Sequence, residues 1–204
     1  MMERLLPFVG LVALWATITL MLWRTRRWLV FYITGAFGFI LLVVYGTALL
    51  GLDTAIEAIE ATQVAAMASV LGIRLDVLGQ TGLAIPNHTG WAVFDIGIEC
   101  SAIIEMAAAV GLIGFYPAFS HRRKIITAII GVTATYTINL FRILLIASII
   151  NAMGTSWVFS AHAVFGRVFF FVGTVVLYWY LLTRPTMGIV RSDLEPALAE
   201  AAGE

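Results

Sequence analysis

Three side chains able to do covalent chemistry recur in the second half of this chain, each set among apolar neighbours. They are a thiol in Glu99-Cys100-Ser101, a guanidinium in Asn139-Leu140-Phe141-Arg142 and an imidazole in Ser160-Ala161-His162. A thiolate can attack a carbonyl carbon, a fixed cation can hold the oxyanion that forms, and an imidazole can move protons in both directions. Together they suffice for acyl transfer, provided the fold brings them to one depth. Cys100 is the only cysteine, so no internal disulfide explains it.

Each residue also has a plainer reading. Lone cysteines are often inert, buried small hydrophobes. Against this, Cys100 stands where an apolar helix begins, and a helix N-terminus lowers a thiol pKa, with Glu99 opposing. Arg142 interrupts an apolar helix at a cost of about 2.5–3.5 kcal/mol, and such residues mark function or a paired structural site. Asn139 precedes it by three residues on the same face, placed to orient the guanidinium or to bond a substrate carbonyl. An ion pair with Glu105 is the structural alternative for Arg142. A free imidazole has an unperturbed pKa near neutrality, which makes His162 a candidate general acid and base, and Gly166, one turn on, leaves room beside it. Its plainer role is a helix-to-helix hydrogen bond.

Two further charges fall in apolar runs, Glu105 and Arg167. Both are expected to be structural partners or to line a wet cavity, and Arg167, five residues after His162, is expected on a different helix face. His88 lies in Pro86-Asn87-His88-Thr89-Gly90, a turn signal. The chain has no Gly-x-Ser-x-Gly elbow, P-loop, His-Glu-x-x-His or paired-cysteine metal spacing, so no metal and no cofactor is expected.

The elements that must position these groups are membrane helices. Of 204 residues, 61% are hydrophobic and 12% charged, against roughly 25% charged in soluble domains. The net charge of zero excludes a nucleic-acid binder driven by bulk positive charge. The expected fold is an all-α integral membrane protein with about five transmembrane helices: Leu5 to Trp23, Trp28 to Leu50, Ser101 to about Phe119, Ile125 to about Ile150, and Trp157 to about Leu182. The first helix carries its stronger positive cluster after the apolar run and has no small-residue cleavage site, so it reads as retained rather than as a signal peptide.

Basic residues follow the first helix (Arg24, Arg26, Arg27), join the third to the fourth (His121, Arg122, Arg123, Lys124) and follow the fifth (Arg184, Arg191). Five spans put all three clusters on one side, expected to be cytoplasmic; six would not. The acidic segment from Gly51 to Glu99 then lies outside. It reads as an interfacial helix over Asp53 to Leu71, with Ala55, Ile56, Ile59, Val64, Met67 and Val70 as its apolar stripe, followed by a turn-rich stretch with a possible small hairpin. The organisation is thus two N-terminal transmembrane helices (1–50), an extracytoplasmic segment (51–98), a three-helix catalytic core (99–183) and a cytoplasmic tail (184–204), frayed from Ser192 onward.

The order Cys-Ser at a helix start, Asn-x-x-Arg in the next helix and His-x-x-x-Gly in the last resembles the exosortase/archaeosortase family of membrane cysteine transpeptidases. The matching residues are Cys100-Ser101, Asn139 to Arg142, and His162 with Gly166, and the resemblance covers roughly Glu99 to Leu182. Ala102 departs from it, standing where the family often has Gly, and fewer helices precede the Cys.

The resemblance implies catalytic Cys100, Arg142 and His162, with Asn139, Ser101 and Glu105 contacting substrate. It also implies secreted protein substrates with a C-terminal motif, transmembrane helix and basic tail. A lipid or another acceptor nucleophile would receive the product at the outer face of the plasma membrane, among membrane lipids and without nucleic acid. The alternatives are a non-catalytic helix bundle in envelope export or assembly, or a small proton-coupled transporter using Glu105, Arg142 and His162.

Overall fold

A computed structural model of the chain describes residues 2–188; the expected frayed tail from Ser192 and the basic residue Arg191 lie outside the described residues. The protein is an all-α membrane protein with a small sheet at one end. Its helices are α1 (Met2–Arg24), α2 (Trp28–Leu50), α3 (Leu52–Val70), α4 (Ile103–Phe115), α5 (His121–Met153) and α6 (Thr155–Gly188). The strands β1 (Asp76–Leu78), β2 (Gly82–Asn87) and β3 (Gly90–Asp95) lie between α3 and α4. Helices α1, α2, α5 and α6 are long and apolar enough to span a bilayer. Leu6, Val9, Leu29 and Phe37 remain exposed on α1 and α2, as expected of faces that meet lipid rather than protein.

The expected third span is shortened. Helix α4 has 13 residues, about 20 Å at 1.5 Å per residue, short of a hydrocarbon core of about 30 Å. Both ends have local causes. Ala102 ahead of it takes a left-handed backbone with φ 54°, which a helix cannot continue through. Tyr116 behind it is extended because Pro117 follows. The four basic residues expected to link α4 to α5 are instead the first turn of α5.

Contacts along the helices fix their directions. Phe8 stacks near Tyr45, and Trp15 Nε1 donates to the Thr34 carbonyl at 3.2 Å, so α1 and α2 are antiparallel. Tyr32 meets Tyr116 while Gly111 lies against the Ala36 backbone, so α4 runs antiparallel to α2. Gly173 sits on Ile138 and Gly166 on Ile146, which sets α6 antiparallel to α5. The Arg24–Arg27 turn, the start of α5 and Arg184 therefore gather at one end of the bundle. Helix α3 and the sheet cap the other end.

The sheet is antiparallel in the order β1–β2–β3, one strand more than the expected hairpin. Leu83 and Ile96 pack with Ala61, Val64, Cys100 and Ile143. Further along the same face, Ile85 and Ala92 pack with Ile146, Ala147, Ile150 and Ala161. The sheet is thus pressed onto the C-terminal half of α5. Its β2–β3 turn, which contains His88 as expected, is held by Thr89 N donating to Asn87 Oδ1 at 2.9 Å. Thr89 Oγ1 lies 3.1 Å from Thr155 Oγ1.

Helix α3 presents a different stripe from the one its sequence suggested. Ile59 and Val70 are 53% and 85% exposed, while Glu57, Glu60, Ala61, Val64 and Ala68 are buried. Beside a membrane, large apolar side chains are stable facing outward, so the small and polar residues turn to the protein. Helix α3 crosses α5 there, with Gln63 accepting from the Tyr136 hydroxyl at 2.7 Å and Glu60 reaching Asn139.

A Cβ at Gly166 would stand 2.7 Å from Ile146 Cδ1 and 3.2 Å from the Ala161 carbonyl. Gly166→Ala should therefore destabilise the protein by about 1–3 kcal/mol through overpacking of α6 on α5. Thermal unfolding in detergent measures this; an unchanged midpoint refutes the close approach.

Candidate active site

The thiol sits in a tight turn ahead of α4. Cys100 N donates to the Gly97 carbonyl at 2.7 Å, and Ser101 N donates to the same oxygen at 3.0 Å. Ser101 Oγ donates to the Ile98 carbonyl at 3.2 Å, so its hydroxyl serves the turn. Ala102 closes it in the left-handed region, fully buried. That conformation costs an L-residue with a Cβ about 1–2 kcal/mol and costs glycine almost nothing. The departure from the family pattern at Ala102 therefore falls where the backbone itself favours glycine.

Helix α5 supplies the supports. Asn139 Nδ2 donates to the Cys100 carbonyl at 2.6 Å and to Glu60 Oε1 at 3.3 Å. One turn further, Arg142 lies against the same turn. Its Nη1 donates to the Glu99 carbonyl at 3.4 Å, and its Nη2 stands 4.0 Å from Cys100 Sγ. Its Cζ lies 5.2 Å from the Phe170 ring centroid, a cation–π contact from α6. Arg142 is buried, and Nε has no partner. The alternative ion pair with Glu105 is not among its contacts.

Helix α6 supplies the imidazole. His162 Nε2 lies 2.9 Å from Cys100 Sγ. It belongs to a π-helical turn, Ala161–Gly166, where hydrogen bonds close over five residues instead of four. Arg167, which follows that turn, lines a cleft with Arg142, in keeping with the expectation of a cavity-lining charge. The cleft, about 360 Å³, is walled by Glu99, Glu105, Arg142, Arg167, Phe170 and Thr174, among others.

The sequence-derived residues thus separate by place. Cys100, Arg142 and His162 converge, with Asn139 immediately behind them. Glu105 is in the cleft wall, and Ser101 is in the turn. Among the described residues, no group of three or more His, Cys, Asp or Glu side chains is arranged to hold a metal ion.

One residue of the site was missed. Glu60 of α3 is fully buried at the rear of the turn, with Oε2 unpartnered. A signal existed: Glu57, Glu60, Ala61, Val64 and Ala68 follow helical spacing as well as the apolar stripe does.

Burial pushes the Cys100 thiol above its ordinary pKa. Arg142 opposes this, Glu99 and Glu60 add to it, and the backbone bond to Gly97 opposes it more weakly. The thiol precedes α4 by three positions, and burial outweighs the expected helix-terminus effect. Burial thus favours the protonated thiol, and the His162 Nε2 stands 2.9 Å from its sulfur.

The family model described as transmembrane exosortase (Exosortase_EpsH) matches residues 2–179. No curated protein and no solved structure matches the chain.

Two outcomes follow for Cys100 alkylation by a small, membrane-permeant reagent. His162→Ala should slow it at pH 7 by roughly tenfold or more and move its pH profile alkaline, since the thiolate is the reactive form. Ala102→Gly should leave the rate within about twofold, whereas Ala102→Val should lose it, because a β-branched residue resists positive φ. Equal rates in all four proteins contradict the geometry of the turn.

Proposed function

The chain belongs to the transmembrane exosortase family, and from that membership we propose that it is a cysteine transpeptidase acting on secreted proteins. It cuts a C-terminal sorting signal made of a short motif, a transmembrane helix and a basic tail, and passes the shortened chain to an acceptor. The observation that carries this reading is the thiol–imidazole contact of 2.9 Å, with the Arg142 guanidinium 4.0 Å from the same sulfur.

The reaction divides into two halves. His162 Nε2 takes the Sγ proton as sulfur attacks the scissile carbonyl. Arg142 stabilises the oxyanion in surroundings dry enough to magnify its charge. As the carbon–nitrogen bond breaks, His162 returns the proton to the departing amine, leaving a thioester on Cys100. The acceptor then gives a proton to His162 and attacks the thioester. The thiolate leaves and regains its proton.

Asn139 holds the Cys100 turn from behind through the carbonyl, a positioning task in place of the direct substrate contact first expected. Glu105 and Arg167, in the cleft wall, are suited to the polar backbone of the bound motif. Ser101 acts through the turn.

Orientation follows from charge. The Arg24–Arg27 turn, the start of α5 and Arg184 share one end of the bundle, and an excess of Lys and Arg marks cytoplasmic loops. The thiol, at the other end, then faces the extracytoplasmic side of the plasma membrane. A substrate anchored by its tail helix would present its motif at that level.

Co-expression with a secreted reporter bearing such a tail tests the proposal. The chain should shorten the reporter, Cys100→Ala should abolish the cut, and Arg142→Leu should reduce it by about a hundredfold or more. The intact mass of the new C-terminus identifies the acceptor as water, lipid or another nucleophile. Shortening that persists with Cys100→Ala, at equal membrane levels, ends the nucleophile assignment.

A further inference from the structure

Behind the thiol lies a polar pair whose hydrogen bonds close on themselves if one proton is added. Asn139 Nδ2 carries two hydrogens. The Cys100 carbonyl, 2.6 Å away, can only accept, so the amide nitrogen must face it. The second hydrogen meets Glu60 Oε1 at 3.3 Å. Two atoms of the same pair remain, Asn139 Oδ1 and Glu60 Oε2, both buried and neither with a partner. Asn139 and Glu60 are each 0% exposed. An ionised Glu60 would leave two buried acceptors in one hydrogen-bonded pair, neither with a donor. A proton on Oε2 supplies a donor that can serve Oδ1.

We infer that Glu60 is held as a neutral acid in a closed acid–amide pair with Asn139, and that this pair is a positioning device for Cys100. The inference rests on the reading of Cys100 as nucleophile. Its physical sense is twofold. A closed pair fixes the amide plane, and the amide fixes the Cys100 carbonyl and with it the direction of the thiol. A neutral Glu60 also keeps a carboxylate away from a sulfur that must become negative; a charged one would oppose it.

Burial pushes the Glu60 acid up to about 8, with the Asn139 bond and Arg142 opposing and Glu57 adding. The groups facing it are Glu57 on its own helix, Tyr136, Asn139 and Arg142 on α5, and Cys100 in the turn. The acid is therefore neutral below about 8 and ionises above, where the pair opens and the turn loosens. The Thr135 hydroxyl, one turn before Asn139 on α5, is also buried without a partner. It is the competing donor for Oδ1, so it needs its own variant.

The full chain in lipid nanodiscs, compared with Glu60→Gln, Glu60→Leu and Thr135→Val, provides the test. The readouts are the infrared carbonyl stretch of a protonated carboxylic acid and the rate of Cys100 alkylation against pH. Wild type at pH 7 should show an acid band that Glu60→Gln removes. Glutamine can donate to Oδ1 without a titrating proton. Its alkylation rate should stay within about threefold and lose the departure seen in wild type above pH about 8. Glu60→Leu should be slower by roughly tenfold or more, and Thr135→Val close to wild type.

No acid band assignable to Glu60, a Glu60→Gln rate as low as that of Glu60→Leu, or an equal loss in Thr135→Val each overturn the inference. If Glu60→Leu fails to accumulate, the band and the Glu60→Gln profile decide. Neither readout uses a substrate. Success here with no reporter cut would count against the proposed reaction and leave the acid–amide pair standing, and a reporter cut with no acid band would do the reverse.

Discussion

A single bond from Asn139 Nδ2 to the Cys100 carbonyl joins the turn that holds the thiol to the helix that holds the guanidinium. Away from water, a backbone carbonyl without a donor is costly, so this bond sets the register between turn and helix. Once Asn139 is fixed, Arg142, three residues on, must lie beside the turn. The Glu99 carbonyl and the Phe170 ring then hold it from two sides. The imidazole approaches from the third helix, and its own register depends on Gly166 letting α6 close on Ile146. The proposed chemistry is thus a by-product of how three elements satisfy their polar groups.

The cap formed by α3 and the sheet has a mechanical share in this. Leu83, Ile96 and Val64 form one cluster with Cys100 itself, so the sheet and α3 bear directly on the turn. Ile85 and Ala92 bear on the α5 segment just beyond Arg142 and on Ala161, the neighbour of His162. The cap immobilises all three carriers at once. A membrane bundle without it would leave the turn held from one side only.

Much of this was legible in the sequence, for identifiable reasons. Spans α1 and α2 were read nearly to the residue, because a uniformly apolar run of bilayer length is stable almost nowhere except across a membrane. The meeting of Cys100, Arg142 and His162 was legible from depth, since helix rise converts sequence distance into height. What escaped involved a change of local rule. The α3 stripe is rotated because apolar residues beside lipid turn outward: Ile59 and Val70 face away, while Val64 of the expected set stays buried beside Glu60 and Ala61. Glu60 was hidden by the same rotation. The early start of α4 was lost to a left-handed alanine, where sequence favours glycine and so gives no warning.

The brevity of α4 bears on the membrane itself. Tyr116 lies beside Tyr32, one turn into α2, so α4 falls short at both ends, and its N-terminal shortfall lies next to Cys100. A helix of about 20 Å cannot cover a hydrocarbon layer of about 30 Å. Glu105, in the first turn of α4, and Arg167 share the cleft wall close to the Cys100 turn, so the polar groups of the cleft stand at the level where this helix ends instead of along a full apolar span.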